Sequence, residues 1–214
     1  MKCPTCENDC PPSARFCEHC GTILRRDEVD RQLAYAFRLE AEGRLGDAIT
    51  EYELLAERDD VAHRPMVLKH LGNLHFRLGH LRRAKRYLGE ACDAEPANAT
   101  FRHDLGVVQY HLAEFDEAIK CFETALRVDP DLQLAWFWLG NARYHLGRRE
   151  AAIAAFRELI DRFPNFAVAH FHLGVIYARE GDKEKAEAEF KRVLEKNPED
   201  AAARFYMDGG RLAK

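Results

Sequence analysis

The chain has 214 residues, 47% hydrophobic and 32% charged, with 32 Lys+Arg against 36 Asp+Glu for a formal charge of −4. That balance argues against a generic polyanion binder. The longest apolar runs, Leu134 to Leu139 and Ala151 to Phe156, are six residues each, far short of the ~20 that a membrane-spanning helix needs.

The opening Met1-Lys2-Cys3-Pro4 lacks the apolar stretch of a secretory signal. Five of the seven cysteines fall within the first twenty residues: Cys3, Cys6, Cys10, Cys17 and Cys20. An odd count without a signal argues for a reducing, cytoplasmic compartment rather than a disulfide framework. Cys3-Pro4-Thr5-Cys6 and Cys17-Glu18-His19-Cys20 are two CxxC pairs separated by ten residues. Two thiolates spaced this way reach one ion, and two such turns supply four sulfurs in tetrahedral array. A segment of this size buries too little apolar surface to fold alone, so metal binding would supply its folding energy.

The segment Cys3-Pro4-x-Cys6, Pro11-Pro12, Arg15-Phe16-Cys17-x-x-Cys20-Gly21 resembles the small zinc-ribbon family. The resemblance implies one structural zinc ion held by Cys3, Cys6, Cys17 and Cys20, with residues 1–26 as the ribbon. Glu7 stands where that family usually has glycine. Four thiolates close the coordination sphere, which leaves no position for catalytic water. Iron is the other metal that such a site accepts. Cys10 reads as a spare loop residue or, alternatively, as a substitute ligand or redox sensor. Only Ile23 to Glu28 separates the ribbon from the first helical pattern, so the ribbon is expected to pack near the first helix.

From Val29 the chain repeats every 34 residues, in units 29–62, 65–98, 99–132, 133–166 and 167–200. The eighth position of each unit holds Ala36, Gly72, Gly106, Gly140 or Gly174. The twentieth holds Ala48, Ala84, Ala118, Ala152 or Ala186. Small residues at both places let two helices approach closely. Pro96, Pro130, Pro164 and Pro198 punctuate the ends of the last four units. Gly43, Gly79, Gly147 and Gly181 mark the turn inside a unit, with Ala113 in that place in the third. Apolar residues between these markers recur at helical spacing.

The pattern resembles the tetratricopeptide repeat, most clearly in the fourth unit: Trp136, Leu139-Gly140, Tyr144, Gly147, Ala152, Phe156 and Pro164. The resemblance covers about 170 of the 214 residues. It implies an all-α superhelical solenoid of antiparallel helix pairs with a concave face. Residues 201–214 read as a short capping helix, Ala201 to Met207, and a tail.

In such arrays the first helix of each unit lines the groove. Carrying the inward positions over gives Lys69, His70, Asn73, Phe76 and Arg77, then His103, Asp104, Val107, Tyr110 and His111. The fourth unit gives Phe137, Trp138, Asn141, Tyr144 and His145, and the fifth Phe171, His172, Val175, Ala178 and Arg179. Aromatics and arginine are the residue types that anchor interfaces. Asn73 and Asn141 carry amides that can both donate to and accept from an extended peptide. The alternative for any one aromatic is inter-helix packing. Chaperone-type repeats clamp a C-terminal carboxylate with five residues; here Lys69 and Asn73 match, but Asp104, Leu134 and Trp138 do not.

No HExxH, phosphate loop, dinucleotide fingerprint or GxSxG elbow occurs, and Ser13 is the single serine. His170 and His172 are two apart and diverge on a helix. The basic run Leu81 to Arg86 reads as a solvated outer face. Cys92 and Cys121 fall on second helices at packing positions. The expectation is a non-catalytic adaptor whose groove binds a peptide or helix of another protein. Two alternatives stay open: a nucleic-acid-associated regulator docking through the ribbon, and a scaffold that self-assembles through its ends.

Overall fold

The computed structural model describes residues 2, 8, 9, 28–58 and 64–208. These form eleven helices: α1 (Glu28–Ala41), α2 (Leu45–Ala56), α3 (Arg64–Arg77), α4 (Leu81–Ala94), α5 (Ala99–His111), α6 (Phe115–Val128), α7 (Gln133–His145), α8 (Arg149–Arg162), α9 (Ala167–Glu180), α10 (Lys183–Lys196) and α11 (Ala201–Met207). The metal-ligand candidates Cys3, Cys6, Cys17 and Cys20, with Cys10, lie outside the described residues. Among the described residues the β pairing is one isolated antiparallel bridge between Lys2 and Asp9. No described helix is long and apolar enough to cross a membrane.

Each 34-residue unit is one helix pair, and the turn markers act as their chemistry requires. Gly43, Gly79, Gly147 and Gly181 all take positive φ, between 71° and 82°. Glycine does this without steric cost. In the third unit Ala113 takes the same conformation at φ 60°, so the turn geometry is imposed by the two helices it joins.

The small residue at the eighth position holds each pair together. A Cβ added at Gly72 would lie 2.4 Å from Leu88, and at Gly106, Gly140 or Gly174 it would lie 2.7 Å from Phe122, Phe156 or Phe190. All four partners are almost fully buried. The second helix therefore presses a large side chain onto the bare backbone of the first, and the close approach demands glycine. The alanines at the twentieth position, Ala48 to Ala186, are buried in all five units.

The core runs continuously along the stack. Successive apolar clusters join α1 to α3, α3 to α6, α5 to α8 and α7 to α11. Helix α11 ends it: Ala203 is buried and the Tyr206 ring stacks on Phe190 at 4.6 Å. Its first turn is capped by Asp200, whose Oδ1 accepts from the Ala203 amide at 2.9 Å. Beyond sequential neighbours, the helices in substantial contact are α3 with α5 and α5 with α7. The first helices of the second, third and fourth units thus lie side by side and form one wall. Of the basic run in α4, Arg82, Arg83 and Arg86 are exposed while Lys85 pairs with Glu114.

Candidate functional site

The inner wall is built from one stripe on each of α3, α5, α7 and α9, at spacings of three and four residues. Its centre is Tyr110. That ring lies edge-on to Trp138 at 4.9 Å, to Phe115 at 5.4 Å and to His145 at 5.4 Å. His111 bridges from the Phe76 ring at 5.1 Å to Trp138 at 5.7 Å. Phe137 continues from Trp138 at 5.4 Å to His172 at 5.3 Å, and His172 meets Phe171 at 6.1 Å. Ring contacts therefore run unbroken across four units. Edge-on geometry matches the positive rim of one ring to the negative face of the next.

The candidates differ in how much of each remains open. Phe76, Tyr110, Trp138 and Tyr144 are half-buried, and His111 and His145 are exposed. His145 stacks flat on Phe115 at 5.0 Å. His172 is absorbed by packing: it stacks on the buried Phe156 at 5.3 Å, and burial pulls its pKa below the ordinary 6.5. Burial likewise raises the Tyr110 phenol. Val107 and Val175 pack at the cluster edges.

Both amides are already engaged. Asn141 is buried, and its Nδ2 donates to the Phe137 carbonyl at 3.0 Å. Asn73 Nδ2 donates to Asp104 Oδ2 at 3.0 Å. The other Asp104 oxygen lies 3.0 Å from His103 Nδ1. The expected hydrogen bonds from these amide nitrogens to an extended peptide thus compete with bonds already made inside the wall.

Glu40 joins the wall from the first unit, at the twelfth position that Phe76 and Tyr110 hold in the next two units; the inward positions were carried over only from the second unit onward. Its carboxylate accepts from the Tyr52 hydroxyl at 3.2 Å, lies 3.1 Å from His70 Nδ1 and pairs with Arg77 at 3.4 Å. Leu134 and Val168 are further additions, each about 48% exposed. They sit three and four residues ahead of Phe137 and Trp138, and of Phe171 and His172, so helical spacing alone assigns them to the same stripes. Arg179 lies over the Tyr144 ring at 5.7 Å, a cation–π distance.

Among the described residues no three His, Cys, Asp or Glu side chains come together as a metal site. The Cys92 thiol is pushed up to about 12 by burial and Cys121 is raised for the same reason, so neither is an activated nucleophile.

Two family models described as tetratricopeptide repeat match the chain, one over residues 112–165 and 146–201 and the other over 75–136. Together they span more than half of it. Solved structures agree in fold. MamA from Desulfovibrio magneticus RS-1 superimposes with a TM-score of 0.76 at 21% identity, covering 82% of this chain and 98% of that one. YrrB, a TPR protein described as having an unusual peptide-binding site, gives 0.73 at 22% identity, over 85% and 92% of the two chains. A tetratricopeptide repeat protein from Parabacteroides merdae gives 0.76 at 18%, over 85% and 73%.

Proposed function

The chain belongs to the tetratricopeptide repeat family, and from that premise we propose that it is a non-catalytic adaptor whose concave groove binds a peptide segment or helix of another protein. The ladder of rings from Phe76 to Phe171 carries this reading. Most of its members keep one side open, and half-exposed aromatics on a rigid wall are the usual anchors of an interface. The peptide-binding site named for YrrB, a protein of the same fold, points the same way.

The test is affinity for a partner identified by cross-linking and mass spectrometry. Tyr110→Ala with Trp138→Ala is expected to weaken binding by about tenfold or more. An unchanged affinity would refute the groove as the binding surface.

In the same proposal Cys3, Cys6, Cys17 and Cys20 hold one structural zinc ion. The donor set fits: four soft thiolates suit zinc. The antiparallel Lys2–Asp9 bridge supports it by pairing the backbone on either side of the first CxxC. The ion would fold the N-terminal segment and take no part in a reaction. A cytoplasmic location accords with reduced thiols.

A further inference from the structure

The charges of the groove point to the chemistry of its occupant. The wall carboxylates Glu40 and Asp104 are both hydrogen-bonded within it, and Glu40 is also ion-paired with Arg77. Glu40 takes Tyr52, His70 and Arg77, and Asp104 takes Asn73 and His103. Two cations on the same stripes have no such partner. Among the described residues Lys69 and Arg179 make no ion pair, and Arg179 rests on the Tyr144 ring instead. Lys69 stands in the second unit and Arg179 in the fifth, so the two bracket the aromatic ladder. Arg77, about half exposed, is paired with Glu40 at 3.4 Å.

The surface between these cations is apolar. Tyr110 and Trp138 form its middle, and Leu134 and Val168 project from the starts of α7 and α9. Beside Phe171 a cavity of about 310 Å³ opens among α9, α10 and α11, with Val168, Val193 and Ala202 in its lining. Its one carboxylate, Asp200, is occupied in capping α11. The cavity has room for one large apolar side chain.

On the groove reading above, we propose that the occupant is an acidic polypeptide segment in which apolar or aromatic side chains stand between carboxylates. Carboxylates at its two ends meet Lys69 and Arg179, while its apolar side chains lie on the Tyr110–Trp138 surface and enter the cavity beside Phe171. A basic segment would meet uncompensated like charge at both ends. A purely neutral one would leave both cations without partners.

The test uses the full chain and three fluorescein-labelled peptides that share leucine and phenylalanine positions. They carry glutamate, glutamine or lysine at the positions between, and binding is read by anisotropy. The glutamate peptide is expected to bind tightest and to weaken as salt is raised. Lys69→Gln with Arg179→Gln is expected to cost it about fivefold and to leave the glutamine peptide unchanged. Equal or tighter binding of the lysine or glutamine peptide, lost on Trp138→Ala, would overturn the acidic occupant and keep the groove. Binding of every peptide unaffected by Trp138→Ala, or no binding at all, would overturn both.

Discussion

The Gly140 backbone lies directly against the Phe156 ring: a Cβ added to the glycine would stand 2.7 Å from Cε1 of the phenylalanine, which is fully buried. The same contact, sixteen residues apart, joins Gly72 to Leu88, Gly106 to Phe122 and Gly174 to Phe190. Gly140→Ala should therefore destabilise the chain by about 1–3 kcal/mol, as overpacking does. Gly89 supplies the contrast. It sits inside α4 with open space where its Cβ would be, so Gly89→Ala should stabilise by roughly 0.5–1 kcal/mol. Thermal denaturation of the two variants checks both signs. Equal effects would mean that contact with the second helix is not what demands glycine at Gly140.

Asn141 and Trp138 are neighbours on one stripe with opposite expectations. The Asn141 amide nitrogen is committed to the Phe137 carbonyl, whereas Trp138 keeps an open face. Asn141→Ala should alter partner affinity by less than about twofold and Trp138→Ala by about tenfold. Titration calorimetry with the identified partner separates them. The reverse order would show that the Asn141 amide turns outward on binding.

Acid should weaken the fold. Burial holds His70, His75 and His172 below the ordinary 6.5; for His70 the Glu40 carboxylate works against burial and Lys69 works with it. Nδ1 of His75 also lies 3.3 Å from Nδ1 of His80, so one ring must stay neutral to accept. Folding thus favours the neutral rings. Their contribution is complete above pH 6.5 and is lost as pH falls through the depressed folded values. The melting temperature should fall between about pH 7 and pH 5, and His172→Gln should make that fall shallower. A melting temperature that rises on acidification would contradict this.

Zinc, if held by the four N-terminal thiolates, should be present at about one ion per chain, and Cys17→Ser with Cys20→Ser should abolish it. Removing it with a chelator should leave the helical circular-dichroism signal intact, because α1 to α11 bury a core of their own. Mass spectrometry of metal content and far-ultraviolet spectra before and after chelation decide both points.

The architecture was legible because repetition writes the same constraint several times. A small residue at the eighth position, another at the twentieth and a turn glycine mark a close helix pair, and the 34-residue spacing sets where each pair begins. Which residues share a stripe was legible because a helix fixes which residues lie on one face. That rule also assigns Leu134 and Val168 to the wall, once position two of each unit is included.

Residue order alone, then, specifies what local contacts carry: the helix pairs, their turns and the helix from Ala201 to Met207. Which inward residues remain available depends on how the pairs meet in three dimensions. Phe156 of the fourth unit stacks under His172 of the fifth. Asp104 holds Asn73 and His103, and Glu40 reaches from the first unit to His70 and Arg77 in the second. Helical periodicity gives the direction of a side chain from its own axis, but the partner that consumes its charge or covers its ring usually comes from another helix, at a distance that no spacing in the chain records.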